Sequence, residues 1–571
     1  MAKNKNKVIF DATSAEHEEG QGALNLDELS YGPPGVRGVF SSSYVALCAG
    51  FATIGGLLFG YEYVNDAQCS KDVELTKTES QGVISVTLVM DHFLERFPEV
   101  SDTAAGSGFY KGLMTAMITL GAFLGALNQC WAADAFSRKY CIMIAVVIFT
   151  IGSALQVAAV SYAMLVTARL IGGIGIGMLS GVVPLYIGEI APPQIRGTLL
   201  VFEQISIVTG VVVAFWITYG TKEINGSWSW QLPFLLQIAP ALFLGFGAIL
   251  LPFSPRWLAT KGREDEALHN LAKLRQLPAT DNRVRQEWMD VIAESKFQKQ
   301  VLAERHPELV ASTEFSDKMR LELVSWADCF KSGCWKRTQV GAGLMFFQQF
   351  VGINALIYYS PTLFSTMGLN YDMQLIMSGV LNMVQLVGCI TSLWTLDHYG
   401  RRKLLLIGAI IMAASHAIIA ILVGKFSYDW PGHSAEGWAS VAFLMVFMLG
   451  YGCTWGPVPW AMPAEIFPSS LRAKGVSISS GSNWLNNFII GLITPPLVQS
   501  TGFGAYVFFA VFSLLSFVWA YFCVPETARK TLEQMDGVFN DRNGVADVAK
   551  KNQILSDVIR EKASATRVSE P

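Results

Sequence analysis

Phe346 to Ser360 reads FFQQFVGINALIYYS: two adjacent glutamines, an asparagine and two adjacent tyrosines inside a long apolar run. In hydrocarbon, a carboxamide without a partner costs several kcal/mol. Gln348, Gln349 and Asn354 fall within two helical turns and therefore require a water-filled cavity or a polar ligand. Each offers donors and an acceptor, the complement of a neutral, hydroxyl-rich molecule. An ion would call for carboxylates or carbonyls instead. Gly352 and Pro361 loosen the helix around them. A single glutamine here would serve as helix–helix glue, but a cluster of this density points to a site.

Hydrophobic residues make up 52% of the 571 and charged residues 15%, against about 25% charged in ordinary soluble domains. Mean hydropathy is +0.38. Apolar runs recur at about 20 residues, the length that crosses a bilayer, so the chain is read as an all-α integral membrane protein. A net charge of −3 argues against nucleic acid. The nine cysteines are scattered; Cys329 and Cys334 come nearest to a motif and are read as free cytosolic thiols. No metal or cofactor is expected, and no Ser/His/Asp set or phosphate loop points to an enzyme. The N-terminus lacks a signal peptide, so the first apolar run is expected to act as its own insertion signal.

Residues 1–43 are polar and are expected to form a disordered cytosolic tail. Apolar runs follow at 44–61, 109–131, 140–160, 163–188, 198–220 and 231–251, one six-helix bundle over 44–251. Residues 252–336 form a charged linker with helical, amphipathic pieces such as Glu264–Leu277. Six more runs, 337–366, 373–396, 403–424, 438–463, 473–499 and 503–524, make a second bundle over 337–524, and 525–571 is a polar tail. Basic clusters at Arg138-Lys139, Arg196, Arg401 to Lys403 and Arg472/Lys474 alternate with loops poor in cations. Both termini and the linker are thereby placed in the cytosol.

The halves repeat one another. Asp134-Ala-Phe-Ser-Arg138 after run 2 matches Asp397-His-Tyr-Gly-Arg401 after run 8. Glu189 and Arg196 after run 4 match Glu465 and Arg472 after run 10 at the same spacing, and Pro252-Phe-Ser after run 6 matches Pro525-Glu-Thr after run 12. Parallel repeats of six spans around a central site describe a rocker-type secondary transporter.

Arg169-Leu-Ile-Gly-Gly, Pro184-Leu-Tyr-Ile-Gly-Glu189, Gln204-Ile-Ser-Ile-Val-Thr-Gly210, Gln348 to Tyr359, Gly400-Arg-Arg402, Gly456-Pro-Val-Pro-Trp460 and Asn483-Trp-Leu-Asn-Asn487 stand in the matching order. Over residues 44–535 the chain resembles the sugar porter family of the major facilitator superfamily, fungal hexose/proton symporters above all. The resemblance implies twelve transmembrane helices in two bundles. It implies that Gln204, Gln348, Gln349, Asn354, Asn382 and Trp460 line a sugar site, with Asn483 and Asn487 contributing and Tyr358 and Tyr359 closing the outer gate. The residue types agree, since amides bond hydroxyls in pairs and an indole adds an apolar face with one N–H. Asp134, Arg138, Glu189, Arg196, Asp397, Arg401, Arg402, Glu465 and Arg472 resemble the family's inner charge network, whose ion pairs would join the halves while the site faces outward. Cations there also set topology. Ser137 stands for the family's Gly, Lys139 for its usual Arg and Phe253 for its Glu. Arg169 would face a carboxylate on the first span. In proton-coupled members that is the Asp of Gly-Tyr-Asp, whose protonation releases the pairing; here the motif reads Gly60-Tyr61-Glu62.

Tyr63 to Ser80 is polar and charged where a span should continue. Removing these 18 residues rejoins Gly-Tyr-x-Gln-Gly-Val-Ile-Ser, the family's first-span motif. The codons of Glu62 to Val64 permit a GTATGT donor, those of Glu74 to Thr76 a CTGAC branch point, and that of Ser80 a terminal AG. Splicing would turn residue 62 into Asp, so 63–80 is read as a retained-intron insertion. With it present, an irregular excursion is expected over Tyr63–Ser80 and Glu62 near a helix end. The expected function is proton-coupled monosaccharide uptake, glucose or a similar hexose, by alternating access in a monomer at the plasma membrane. The alternatives are a uniporter, a symporter of xylose, quinate or inositol, and a non-transporting sugar sensor.

Overall fold

A computed structural model describes residues 31–64, 91–527, 535, 538, 539 and 542–569, apart from 34, 101–103, 105, 193, 222, 313, 332, 333 and 469. The expected excursion over Tyr63–Ser80 lies outside the described residues from 65 onward; Tyr63 and Val64 continue the helix before it. All regular structure among the described residues is helical. The N-terminal half contains α1 (Val36–Ser41), α2 (Ser43–Val64), α3 (Asp91–Arg96), α4 (Ser107–Phe136), α5 (Arg138–Val157), α6 (Tyr162–Ile190), α7 (Arg196–Thr221), α8 (Trp228–Leu236) and α9 (Ile238–Leu250). The linker contains α10 (Pro255–Thr260), α11 (Glu264–Arg275), α12 (Asn282–Arg305), α13 (Pro307–Ala311) and α14 (Phe315–Asp328). The C-terminal half contains α15 (Trp335–Phe350), α16 (Ile353–Ser365), α17 (Tyr371–Tyr399), α18 (Arg401–Phe426), α19 (Ser434–Cys453), α20 (Val458–Ile466), α21 (Arg472–Thr501) and α22 (Gly504–Cys523), and α23 (Arg542–Ser569) lies in the tail.

Among the described residues, eleven helical segments are long and apolar enough to cross a membrane, with α8–α9, α15–α16 and α19–α20 each counting as one. The twelfth expected run is α21, 30 residues long. Its serines and Asn483, Asn486 and Asn487 reduce its apolarity, and the three asparagines are buried where α21 packs on α4 and α15. Polar groups turn inward, while the surface carries exposed Phe243, Phe246 and Leu250 on α9 and Leu514 and Phe522 on α22. That inversion suits a lipid exterior.

The packing repeats as the sequence does. In the N-terminal half α2 lies on α7, α4 on α6 and α5 on α9; in the C-terminal half α15 lies on α21, α17 on α19 and α18 on α22. The halves meet along α4–α21 and α7–α17, equivalent positions by the repeat.

Two terminal segments pack on the rest of the protein. Near the N-terminus α1 forms with Val39 buried, and Tyr31 lies 5.1 Å from the Arg275 guanidinium. At the other end, Val558 of α23 is buried among Trp257, Leu271, Val284, Trp288 and Ile292 of the linker. Ion pairs Lys551–Glu294 (2.6 Å) and Lys562–Glu264 (2.7 Å) flank that seam. The linker caps one end of the N-terminal half: Trp257 Nε1 donates to the Asp134 carbonyl (3.1 Å) and Arg275 Nη1 to that of Ile190 (2.8 Å).

Candidate functional site

The run from Trp335 to Ser365 is broken in the middle. Val351 and Gly352 separate α15 from α16, and Gly352 takes φ +97. A side chain there would be strained by that φ and would meet the Phe509 ring at 2.8 Å. Pro361 lacks a donor N–H, and Tyr359 departs from helical geometry at φ −125, ψ 25. The break releases backbone where the carboxamides cluster.

A cavity lined by residues of both halves sits beside this break. Six of the eight residues expected at a sugar site line it: Gln204 from the N-terminal half, and Gln348, Gln349, Asn354, Trp460 and Asn483 from the C-terminal half. Asn382 and Asn487 are buried but are not among its lining residues. Gln348 Nε2 donates to the carbonyls of Trp455 (2.8 Å) and Gly456 (3.1 Å), and its Oε1 accepts from Asn483 Nδ2 (2.6 Å). Asn354 Nδ2 donates to Gln349 Oε1. The amides are thus held in fixed orientation by one another and by the α19–α20 turn. Asn483 Oδ1 is left without a protein partner. The wall opposite is apolar, made of Ile207, Val208 and Val211 of α7 with Ile353 and Ile357 of α16.

Phe59, Gln385 and Tyr451 also line the cavity and were not anticipated. Gln385 had a readable signal: it follows Asn382 by three residues on the same helix face, and its Oε1 likewise lacks a partner. Phe59 was hidden among ordinary apolar residues. It stands edge-on to Trp460 at 6.5 Å and tilts on Trp484 at 4.9 Å.

The two tyrosines are pinned to α21. Tyr358 OH donates to Asn487 Oδ1 (3.1 Å) and Tyr359 OH to the Gly491 carbonyl (2.8 Å). This accounts for Asn487, which meets the tyrosine pair rather than the cavity.

Glu62 and Arg169 are both buried, at 2% and 1% exposure. Gln156 of α5, fully buried, donates Nε2 to Glu62 Oε1 (3.3 Å), and Arg169 Nε donates to the Met114 carbonyl (2.8 Å). Gln156 is another residue the sequence reading passed over; as a lone amide near a span end it gave no pattern.

At the linker-facing end of the N-terminal half, Arg138 Nη2 and Nε bond Glu189 Oε1 (2.8 and 3.1 Å) and Arg138 Nη1 bonds Asp134 Oδ1 (2.9 Å). In the repeat, Arg401 Nη2 bonds Glu465 Oε1 (2.9 Å). These pairs close within each half. Arg196 and Arg472 open α7 and α21 at equivalent places, and Arg402 Nη2 donates to the Tyr521 carbonyl (2.6 Å). Asp397 lies on α17 with its side chain outside the described residues.

Residues 49–539 match the profile of the family described as sugar (and other) transporter. The chain belongs to the sugar (and other) transporter family. This transporter is 31% identical to the MFS glucose transporter mfs1 of Aspergillus flavus, over 86% of this chain and 89% of that one. It is 31% identical to sugar transport protein 13 of Arabidopsis thaliana, over 85% and 86%. To a probable quinate permease of Aspergillus fumigatus it is 32% identical, over 80% and 84%. Its fold matches the proton:xylose symporter XylE bound to 6-bromo-6-deoxy-D-glucose with a TM-score of 0.68, at 24% identity over 87% of this chain and 99% of that one. The inward-open form of XylE from E. coli matches at 0.64, with 23% identity over 86% and 99%. The fold is that of the major facilitator superfamily, and the protein is a multi-pass membrane transporter rather than an enzyme.

Proposed function

We propose that this transporter carries a neutral monosaccharide, glucose or a similar hexose, inward with a proton by alternating access of its two halves. One observation carries the reading: carboxamides from both halves, Gln204 on one side and Gln348, Gln349, Asn354 and Asn483 on the other, converge on one cavity beside Trp460. Neutral donors and acceptors facing an indole and an aliphatic wall complement a pyranose, which has hydroxyls around its edge and C–H groups on its faces. A polyol acid is the second reading, favoured by the relatives named as quinate permeases. A carboxylate substrate calls for a cation, and among the described residues lining the cavity there is no Arg or Lys. The neutral sugar is therefore preferred. Glu62, with Arg169 on α6, supplies the proton-coupling carboxylate. Tyr358 and Tyr359 close the outer side, and the clusters around Arg138 and Arg401 hold the cytosolic side. The protein works as a monomer in the plasma membrane with both termini in the cytosol, and Asn382 supports Gln385 from one turn away.

Counterflow of labelled hexoses into cells lacking hexose uptake, run at two pH values, tests this. Wild type is expected to exchange glucose and to accumulate it faster at the lower pH. Gln348→Ala is expected to weaken apparent affinity by roughly ten- to hundredfold, the equivalent of about 1–3 kcal/mol. Unchanged uptake kinetics in that variant, or uptake of quinate in place of hexose, refutes the assignment. Sequencing the mature transcript decides the insertion: a principal message that retains the codons for 63–80 removes the intron reading.

A further inference from the structure

Among the acidic groups embedded in the spans, one has no part in the reading above. Glu203 lies on α7 beside Gln204, and it is 7% exposed. It sits seven residues beyond Arg196, the first residue of α7, about 10 Å along the helix from its cytosolic end. Its stem runs in the seam with α2, where a Cβ on Gly56 would lie 3.4 Å from Glu203 Cγ and 3.2 Å from its carbonyl oxygen. One turn farther along α2, Gly60 closes directly on the Ile207 backbone. The next residue, Gln204, faces the cavity, as do Ile207 and Val208 one turn on.

The charged groups on the elements packed against α7 are Arg37 on α1, Glu62 on α2, Arg169 and Glu189 on α6, and Asp372, Asp397 and His398 on α17, besides Arg196 on α7 itself; α8 has none. The phenols Tyr61 and Tyr186 and the thiols on these helices are neutral at physiological pH. No hydrogen bond or ion pair of the Glu203 side chain occurs among the described residues. An anionic carboxylate so placed in a membrane is expensive, and an ionisable group kept there without a counter-charge marks a proton or ion path.

We propose that Glu203 is a second proton-binding carboxylate of the transport cycle, placed between the substrate cavity and the cytosolic end of α7. In the closed seam it carries the proton as the neutral acid. When the cytosolic end of α7 parts from α2 and water reaches the carboxylate, the proton leaves to the cytosol and the anion is left solvated. Its neighbour Gln204 ties that step to occupancy of the cavity. The proposal rests on the proton-coupled reading given above and extends it to a residue outside the Gly60-Tyr61-Glu62 motif.

The test uses the full-length transporter. In pH-difference infrared spectra of purified protein, the carboxylic-acid C=O band is expected to lose one component in Glu203→Gln, and that component is expected to persist in Glu62→Gln. In cells, the rise in hexose uptake on lowering the pH is expected to be lost in Glu203→Gln and to return in Glu203→Asp. Glu203→Gln is close in shape to the native residue, and its melting temperature shows whether it folds. A carboxylic-acid band unchanged in Glu203→Gln overturns the proposal, and so does an unchanged pH response of uptake after that component is lost. A wild type that exchanges no monosaccharide, yet shows a band component that Glu203→Gln removes, overturns the monosaccharide reading alone and supports the proton site.

Discussion

At the corner between α4 and α5 in the N-terminal half, α5 starts after Ser137, which holds φ +87; at the matching corner of the C-terminal half, α18 starts after Gly400 with φ +86. The backbone path is the same and the atoms that support it differ. In the C-terminal half, Glu526 accepts from the backbone N–H groups of Arg401 (2.9 Å) and Arg402 (3.1 Å), a carboxylate cap on a helix N-terminus. In the N-terminal half, the residue matching Glu526 is Phe253. Ser137 caps α5 through its own Oγ, which accepts from Tyr140 N (3.3 Å), while Phe253 packs edge-on to Tyr140 and takes Lys139 Nζ over its ring at 5.2 Å. The two departures from the family pattern are one exchange. A Cβ on Gly400 would lie 2.7 Å from Glu526 Oε2, so a side chain at the first position and a carboxylate at the second exclude each other. Ser with Phe and Gly with Glu are the compatible pairs. The duplicated halves have therefore kept a shape and drifted in its chemistry, with both members of a contact changed.

The ion pairs differ in the same direction. The Arg138 and Glu189 side chains are each 9% exposed, whereas Glu465, opposite Arg401, is 31% exposed and also accepts from Thr527 Oγ1 (2.7 Å). The N-terminal corner concentrates its charge in one buried pair; the C-terminal corner spreads it over Glu465, Glu526 and Thr527. Glu189→Ala is expected to leave the buried Arg138 guanidinium with the exposed Asp134 as its counter-charge and to destabilise by about 3 kcal/mol. Glu465→Ala is expected to cost less, about 1–3 kcal/mol, the range for a charge-assisted hydrogen bond. Melting temperatures of the two variants in detergent check the order, and equal losses break the contrast between the corners.

The spans, the repeat and the cluster at Gln348 to Asn354 were legible in the sequence because lipid allows few arrangements: long apolar helices, with polar side chains only where protein or water receives them. The break at Gly352 was legible for the same reason as the cluster. The partner of each charge was not. Arg138 and Glu189 are 51 residues apart in sequence, and no local rule distinguishes a pair within one half from a pair between halves. Gln156 was overlooked because it stands alone in an apolar run, where one amide is ordinary glue, whereas the signal for Gln385 lay in its three-residue spacing from Asn382. The tail helix α23 was passed over because its average polarity masked Ile554, Leu555 and Val558, which recur at helical spacing and pack on the linker.

The exchange at the corner can be broken from the N-terminal side. Phe253→Glu removes the ring beneath Lys139 and places a carboxylate against the Ser137 side chain, and is expected to destabilise by about 1–3 kcal/mol. Adding Ser137→Gly clears the collision. It also relieves a backbone conformation that favours glycine, a strain of about 1–3 kcal/mol. The double variant is thus expected to recover most of the loss, with a coupling energy of about 1–2 kcal/mol between the sites. A double-mutant cycle in melting temperature reads this directly. Additive losses would mean that the corners merely look alike.

The smallest expected effect concerns what lies beneath the N-terminal corner alone. The linker helix α12 carries Glu287, Asp290 and Glu294 beside Arg256 and Lys551. Burial pushes the Asp290 carboxyl up to about 6, from about 3.9 in an unfolded chain. The folded form binds the proton more tightly, so the stability linked to this group is fully present below about pH 4 and is lost as pH rises through about 6. Asp290→Asn keeps the neutral shape at every pH. It is expected to match wild type at about pH 4 and to melt higher at neutral pH, by the equivalent of about 1 kcal/mol once partial exposure is allowed for. The linker's ion pair to the C-terminal half, Glu322–Lys474 (2.6 Å), starts from α14 rather than from α12, so Glu465→Ala combined with Asp290→Asn should show additive shifts, whereas Glu189→Ala combined with Asp290→Asn should not, because Trp257 and Arg275 tie the linker to the ends of α4 and α6. Additivity in both combinations would show that the linker hangs from the N-terminal half without bracing it.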